Sequence, residues 1–172
     1  MKNFREINTS GIPSQMGSYA LHLRLDQPSC EQIGRLGEFY FPAGDYLYIG
    51  SAMGSGGLRA RLSHHLRGPK RNHWHIDWLR AITKVAGFYY LVGDKRFECL
   101  WSQMLGENPG TAIPAPRFGA SDCMVSGQSC FAHLFWLGSG LRIDKLAKLL
   151  SEACGTRVPY LQVRADTYHE IE

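Results

Sequence analysis

Between Ser51 and Ile76 the chain has no aspartate or glutamate at all. It has no Cys-x-x-Cys pair, and no apolar run approaches the roughly 20 residues that a membrane-spanning helix needs. Five cysteines, at 30, 99, 123, 130 and 154, are odd in number and scattered, which argues against a disulfide framework. The stretch Met1 to Gln15 lacks the apolar centre of a secretory signal. These absences predict a reduced, cytoplasmic chain with no membrane segment. Two nucleotide signatures are also missing. Gly54, Gly56 and Gly57 open a helix, but no Lys-Ser/Thr pair follows at P-loop spacing, and no third glycine completes a dinucleotide fingerprint.

What is present suits one domain of 172 residues, with 44% hydrophobic residues for a core. The formal charge is only +4, from 19 Lys+Arg against 15 Asp+Glu, so its placement matters more than its size. The acid-free stretch carries Arg59, Arg61, Arg67, Lys70 and Arg71 together with His64, His65, His73 and His75. A block of one sign attracts a polyanion; its bland alternative is a solvated basic helix face.

Residues 1–16 read as a leader, with Gly11 and Pro13 as breakers and disorder as one expectation for it. Tyr19, Leu21, Leu23 and Leu25 alternate with Ser18, Ala20, His22 and Arg24, which predicts a strand with one buried face. Gln27 to Glu31 reads as a turn. Leu36 to Phe41 and Asp45 to Gly50 read as strands joined in a hairpin by Pro42-Ala43-Gly44-Asp45. Gly87 to Val92 and His133 to Leu137 are further strands. Helical spacing marks the Leu58, Leu62, Leu66 stripe and the segments Trp74 to Thr83, Asp94 to Leu105 and Leu141 to Ala153; the last stops at Gly155. Glu107 to Gly119 reads as a loop. The expected class is α+β, a small and mainly antiparallel sheet flanked by helices, with residues 17–137 as its body. Residues 138–172 are expected to form a C-terminal helix and tail packed on the same domain.

Arg61 and His65 lie four residues apart and share a helix face, with Leu62 and Leu66 turned about 100° away. A guanidinium there can grip a phosphate with two prongs. A histidine with cationic neighbours stays neutral and can accept a proton. Glu98 falls at the edge of the stripe formed by Phe97, Trp101 and Leu105, where a carboxylate needs an ion or a partner. A salt bridge to Lys95 or an arginine is the alternative to a one-metal site. His73, His75 and Asp77 read as metal ligands, phosphate contacts or a helix-start hydrogen-bond network, the last two being favoured. Cys123, Cys130 and His133, completed by Asp122 or a distant histidine, are a weaker zinc reading. A thiol hydrolase built on Cys123 and His133 has no further support, and a buried thiol is the better reading.

Gly17-Ser18-Tyr19 and Tyr48-Ile49-Gly50, followed in order by Arg61, His65 and Glu98, resemble the paired motifs and site residues of the GIY-YIG nuclease superfamily. Ser18 stands at the family's first isoleucine, a position with no chemical role. Gly50-Ser51-Ala52, Gly56-Gly57-Leu58 and His73-Trp74-His75-Ile76-Asp77 resemble an uncharacterised branch of that superfamily. So do Gly119-Ala120-Ser121-Asp122-Cys123 and Ala132-His133-Leu134-Phe135, here separated by an insertion, roughly Met124 to Ser129. Members of this branch occur alone or joined to a DNA-repair glycosylase.

The resemblance implies a three-stranded core with extra strands and a metal-dependent DNA endonuclease active in repair or processing. Tyr19 and Tyr48 would turn their hydroxyls toward the scissile phosphate, and His65 or Tyr19 would act as base. Arg61 would hold the phosphate, and Glu98 would hold Mg²⁺ or Mn²⁺. Ser51, Arg59, His64, Arg67, Lys70, Arg71, His73 and His75 would contact nucleic acid, with DNA expected, RNA left open and a repair glycosylase as a possible partner. Many members carry lysine where this chain has Ser51, a lost charge that Arg59 would replace. That substitution motivates the alternative of a non-catalytic nucleic-acid-binding module; a zinc-bound interaction domain is the weaker one.

Overall fold

A computed structural model describes residues 11–68, 71–121, 123, 130–138 and 142–163. The expected leader up to Ser10, Lys70, Asp122, the insertion at 124–129, Leu141 and the last nine positions lie outside them. The chain is α+β. Five strands form one sheet in the order β6-β4-β1-β5-β7, with every neighbouring pair antiparallel. They are β1 (Gly17–Leu25), β4 (Gly44–Ala52), β5 (Lys84–Val92), β6 (Leu134–Trp136) and β7 (Tyr160–Gln162). Strands β2 (Ser29–Ile33) and β3 (Gly37–Phe41) pair only with each other. The helices that lie within the described residues are α1 (Gly57–Arg67), α2 (His75–Arg80), α3 (Glu98–Gly106) and α4 (Ile143–Cys154). No helix among the described residues is long and apolar enough to cross a membrane.

The central strand β1 sorts its side chains by pleat. Tyr19, Leu21, Leu23 and Leu25 pack with Leu58, Leu62 and Leu66 of α1 and with Ile76 and Leu79 of α2. Ala20 faces the other way, into a cluster with Trp101 and Leu105 of α3 and Leu146 and Leu150 of α4. Strand β1 is therefore buried on both faces, and Ser18 and His22 are buried too. A single apolar period finds one covered face; it does not reveal that helices cover the second. His22 reaches the Tyr160 hydroxyl at 2.9 Å and Asp45 at 3.0 Å, which satisfies its buried ring across three strands.

The expected turn at Gln27 to Glu31 is largely strand β2, and the expected hairpin of the second and third segments does not form. Gly34, at φ +49°, and a bond from the Leu36 amide to the Ile33 carbonyl at 2.8 Å reverse the chain tightly. β3 thereby takes its ladder from β2, while β4 crosses to β1 with Tyr19 opposite Gly50. Helix α3 starts four residues later than its apolar spacing predicts, at Glu98, and Leu100 is exposed rather than inward. β7 has only three residues, too few for a period to register.

Leu62 is fully buried on the sheet-facing side of α1. Leu62→Ala is expected to cost about 2–5 kcal/mol in denaturant unfolding, because the cavity cannot fully collapse against β1.

Candidate active site

The register of β1 and β4 places Tyr19 and Tyr48 diagonally, with ring centroids 6.5 Å apart. Gly50 lies directly beside the Tyr19 ring. A Cβ there would sit 2.5 Å from the tyrosine oxygen, so the motif's last glycine is required by the tyrosine's path. Helix α1 then delivers His65 from above. Its Nε2 is 2.8 Å from the Tyr19 hydroxyl, and both residues are 2% exposed. His65 Nδ1 is buried with no hydrogen-bond partner among the described residues. Burial first, then the neighbouring His64, Arg61 and Arg80, hold the imidazole pKa well below its ordinary value, so the ring is neutral. Burial, reinforced by Tyr48, raises the Tyr19 phenol well above its ordinary range.

The pair opens onto a cleft of about 510 Å³ that Tyr48, Ser51, Arg61, His73, His75 and Glu98 also line. Among the described residues that line it, Glu98 is the only carboxylate, and Arg61 and Arg96 are the cations. The Glu98 side chain is 15% exposed, and its nearest ion-pair partner is Arg96 at 3.8 Å, not Lys95. Lys95 lies over the Phe97 ring instead.

Ser18, expected to be idle, has a positional role. Its hydroxyl accepts the Phe97 backbone N–H at 2.9 Å, at the residue immediately before α3. The first strand thereby fixes where the helix carrying Glu98 begins.

Arg61 does not point freely into solvent. Its guanidinium carbon lies 4.4 Å from the centre of the Trp74 ring, and Trp74 is 41% exposed. Trp74 was not among the predicted contacts, although an exposed tryptophan inside an acid-free basic stretch is a signal for one. Arg96 was missed as well, because it lies outside that stretch. Asp77 accepts the backbone N–H groups of His73 and Trp74, each at 2.9 Å, and lies 3.3 Å from His64 Nε2. It is the helix-start network, not a ligand set. His75 accepts the Gly119 N–H at 3.1 Å, which closes the far wall of the cleft.

Other predicted contacts sit elsewhere. Arg59 donates to the Ile12 carbonyl at 2.8 Å and does not line the cleft. Arg67 and Arg71 are exposed outside it. His64 borders an adjoining hollow of about 210 Å³, on the other side of Arg61 and Trp74.

A second cluster lies beside the cleft. Cys99, Cys123, Cys130 and His133 bring their donor atoms within 4.8 Å of one another. Among the described residues the fourth member is Cys99, from the first turn of α3, and not a distant histidine; Asp122 lies outside the described residues. Burial, with a hydrogen bond to Cys99 that favours the protonated thiol, raises Cys123 far above its ordinary range, and burial pushes Cys130 up to about 11. Protonated thiols of this kind are poor nucleophiles, which argues against a thiol hydrolase.

A family model described as domain of unknown function DUF123 matches residues 18–155. The chain belongs to that family. The DUF123 match runs from β1 to the end of α4, so it takes in both the cleft and the cysteine cluster. No curated protein and no solved structure matches the chain.

Two outcomes test this geometry. Ser18→Ala removes the partner of the part-buried Phe97 N–H and is expected to cost about 1 kcal/mol in chemical unfolding. The depressed His65 pKa makes its contribution to stability complete above pH 6.5 and progressively lost as pH falls from 6.5 toward the lower folded value. Melting temperatures on either side of pH 6.5 should show that slope. His65→Leu should remove part of it, leaving the shares of His22 and His75, whose pKa values burial also lowers.

Proposed function

We propose that this protein is a divalent-metal-dependent DNA endonuclease of the GIY-YIG type, acting on DNA during repair or processing. The observation that carries the reading is the buried Tyr19–His65 hydrogen bond at the head of a cleft that holds one carboxylate and two arginines. The motif resemblance of Gly17-Ser18-Tyr19 and Tyr48-Ile49-Gly50 supports it.

In this reading the scissile phosphate enters between Arg61 and Glu98. Trp74 braces the Arg61 guanidinium, and its exposed ring offers a face on which a base can stack. His65 does not meet the attacking water directly, because the Tyr19 hydroxyl stands in front of its Nε2. Water gives its proton to Tyr19 as its oxygen bonds to phosphorus, and Tyr19 passes its own proton to His65. The bond to the leaving sugar oxygen breaks, and that oxygen takes a proton from solvent. Neither phenolate nor imidazolium need form beforehand, consistent with a raised tyrosine and a lowered histidine pKa. Arg61 steadies the extra charge on phosphorus-bound oxygens. A carboxylate in a polar cleft suits Mg²⁺ or Mn²⁺, which keeps waters and takes a substrate phosphate as further ligands. Held by Glu98, such an ion would supply Lewis-acid neutralisation of the phosphate.

Ser51, at the position where the resembling family often has lysine, favours a second reading as a nucleic-acid-binding module without catalysis. Arg96 in the same cleft is a replacement charge that supports the first reading. A DNA-repair glycosylase is the partner that the branch resemblance suggests.

The test is a panel of branched, flapped and damaged DNA, with RNA alongside, assayed with and without Mg²⁺. The parent chain is expected to cut only with the ion. Glu98→Gln and Arg61→Ala are expected to lose about 100-fold or more in rate. Undiminished cutting by both variants would overturn the roles. Salt-sensitive DNA binding with no cleavage of any substrate would establish the second reading.

A further inference from the structure

The thiol cluster is not used by the cleft chemistry. It gathers three cysteines and one histidine from two separate parts of the chain: Cys99 on α3, and Cys123, Cys130 and His133 on the segment leading into β6. Cys123 Sγ is 3.3 Å from Cys99 Sγ and 3.1 Å from His133 Nε2, and all four donors fall within 4.8 Å of one another. Zinc bound tetrahedrally at about 2.3 Å to sulfur and about 2.0–2.1 Å to nitrogen holds its donors about 3.5–3.8 Å apart. The two short separations fall a few tenths of an ångström inside that edge and every other pair lies within 4.8 Å, so small side-chain adjustments would make a tetrahedron. A disulfide would need sulfurs about 2.05 Å apart, well inside the Cys99–Cys123 distance.

We propose that Cys99, Cys123, Cys130 and His133 form a structural zinc site. Thiolate and imidazole donors select zinc over Mg²⁺ or Ca²⁺, which take oxygen. Four protein donors leave no open position, the mark of a structural rather than catalytic ion. Binding converts three thiols to thiolates and releases their protons to solvent.

The site's position gives it a purpose. Cys99 follows Glu98 directly on α3. His133 is tied to β4 through its carbonyl, which accepts the Ile49 N–H at 2.8 Å, and to Phe118 through its amide at 2.7 Å. The ion therefore clamps the helix bearing Glu98 to the strand bearing Tyr48, and it does so whether or not the cleft cuts DNA.

The experiment uses the full chain, purified under reducing conditions, reconstituted with Zn²⁺ and freed of excess metal. Elemental analysis should find about one zinc per chain. Cobalt exchange should give sulfur-to-cobalt charge-transfer absorption and the visible bands of a tetrahedral ion. Cys99→Ser, Cys123→Ser and Cys130→Ser should each lose most of the metal, while Cys30→Ser and Cys154→Ser keep it. A reduced parent chain that retains no zinc overturns the proposal, as does equal loss in the two control variants. The parent's zinc content and cobalt spectrum do not depend on any variant folding.

Discussion

The contact on which the site depends is the 2.8 Å bond between the Tyr19 hydroxyl and His65. It joins the middle strand of the sheet to the first helix, inside the interface and not at its rim. Much of the local sequence can be understood from it. Gly50 leaves room for the tyrosine, Leu58 and Leu62 seat α1 at the right height, and Arg61 one turn earlier is brought to the cleft mouth. Two polar groups share one burial, so each satisfies the other where a lone hydroxyl or ring would be costly.

A second constraint acts from the opposite face. Ser18 and Tyr19 are neighbours on β1, and the pleat sends them to opposite sides of the sheet. Tyr19 meets α1 while Ser18 sets the first residue of α3. One dipeptide thus places His65 and Glu98, which come from elements more than thirty residues apart, at the same end of the sheet.

The parts legible in the sequence were those with a strong local period. The alternation of β1 and the leucine stripe of α1 both have their cause in burial against one continuous cluster. Arg61, His65, Tyr19, Tyr48 and Glu98 do line one cleft, because spacing on a helix and order along the chain limit where they can go. The hairpin error has a different origin. Turn residues at Pro42-Ala43-Gly44 show that the chain bends, but not which strand receives the next ladder. Cys99 was invisible as a partner of Cys123 for the same reason: 24 residues separate them, and only tertiary packing joins them. Ser18 was discounted because a missing isoleucine reads as a loss, while its hydroxyl makes a bond that isoleucine cannot.

Asp77 sets the sign of the surface around the cleft. It follows directly on the acid-free stretch and would be the natural place for that stretch's positive field to end. Instead it is 1% exposed, with one oxygen held by two backbone N–H groups and the other turned toward His64. Its charge is screened at source by the dipoles it binds. Among the described residues that line the cleft, the carboxylate is therefore Glu98 and not Asp77.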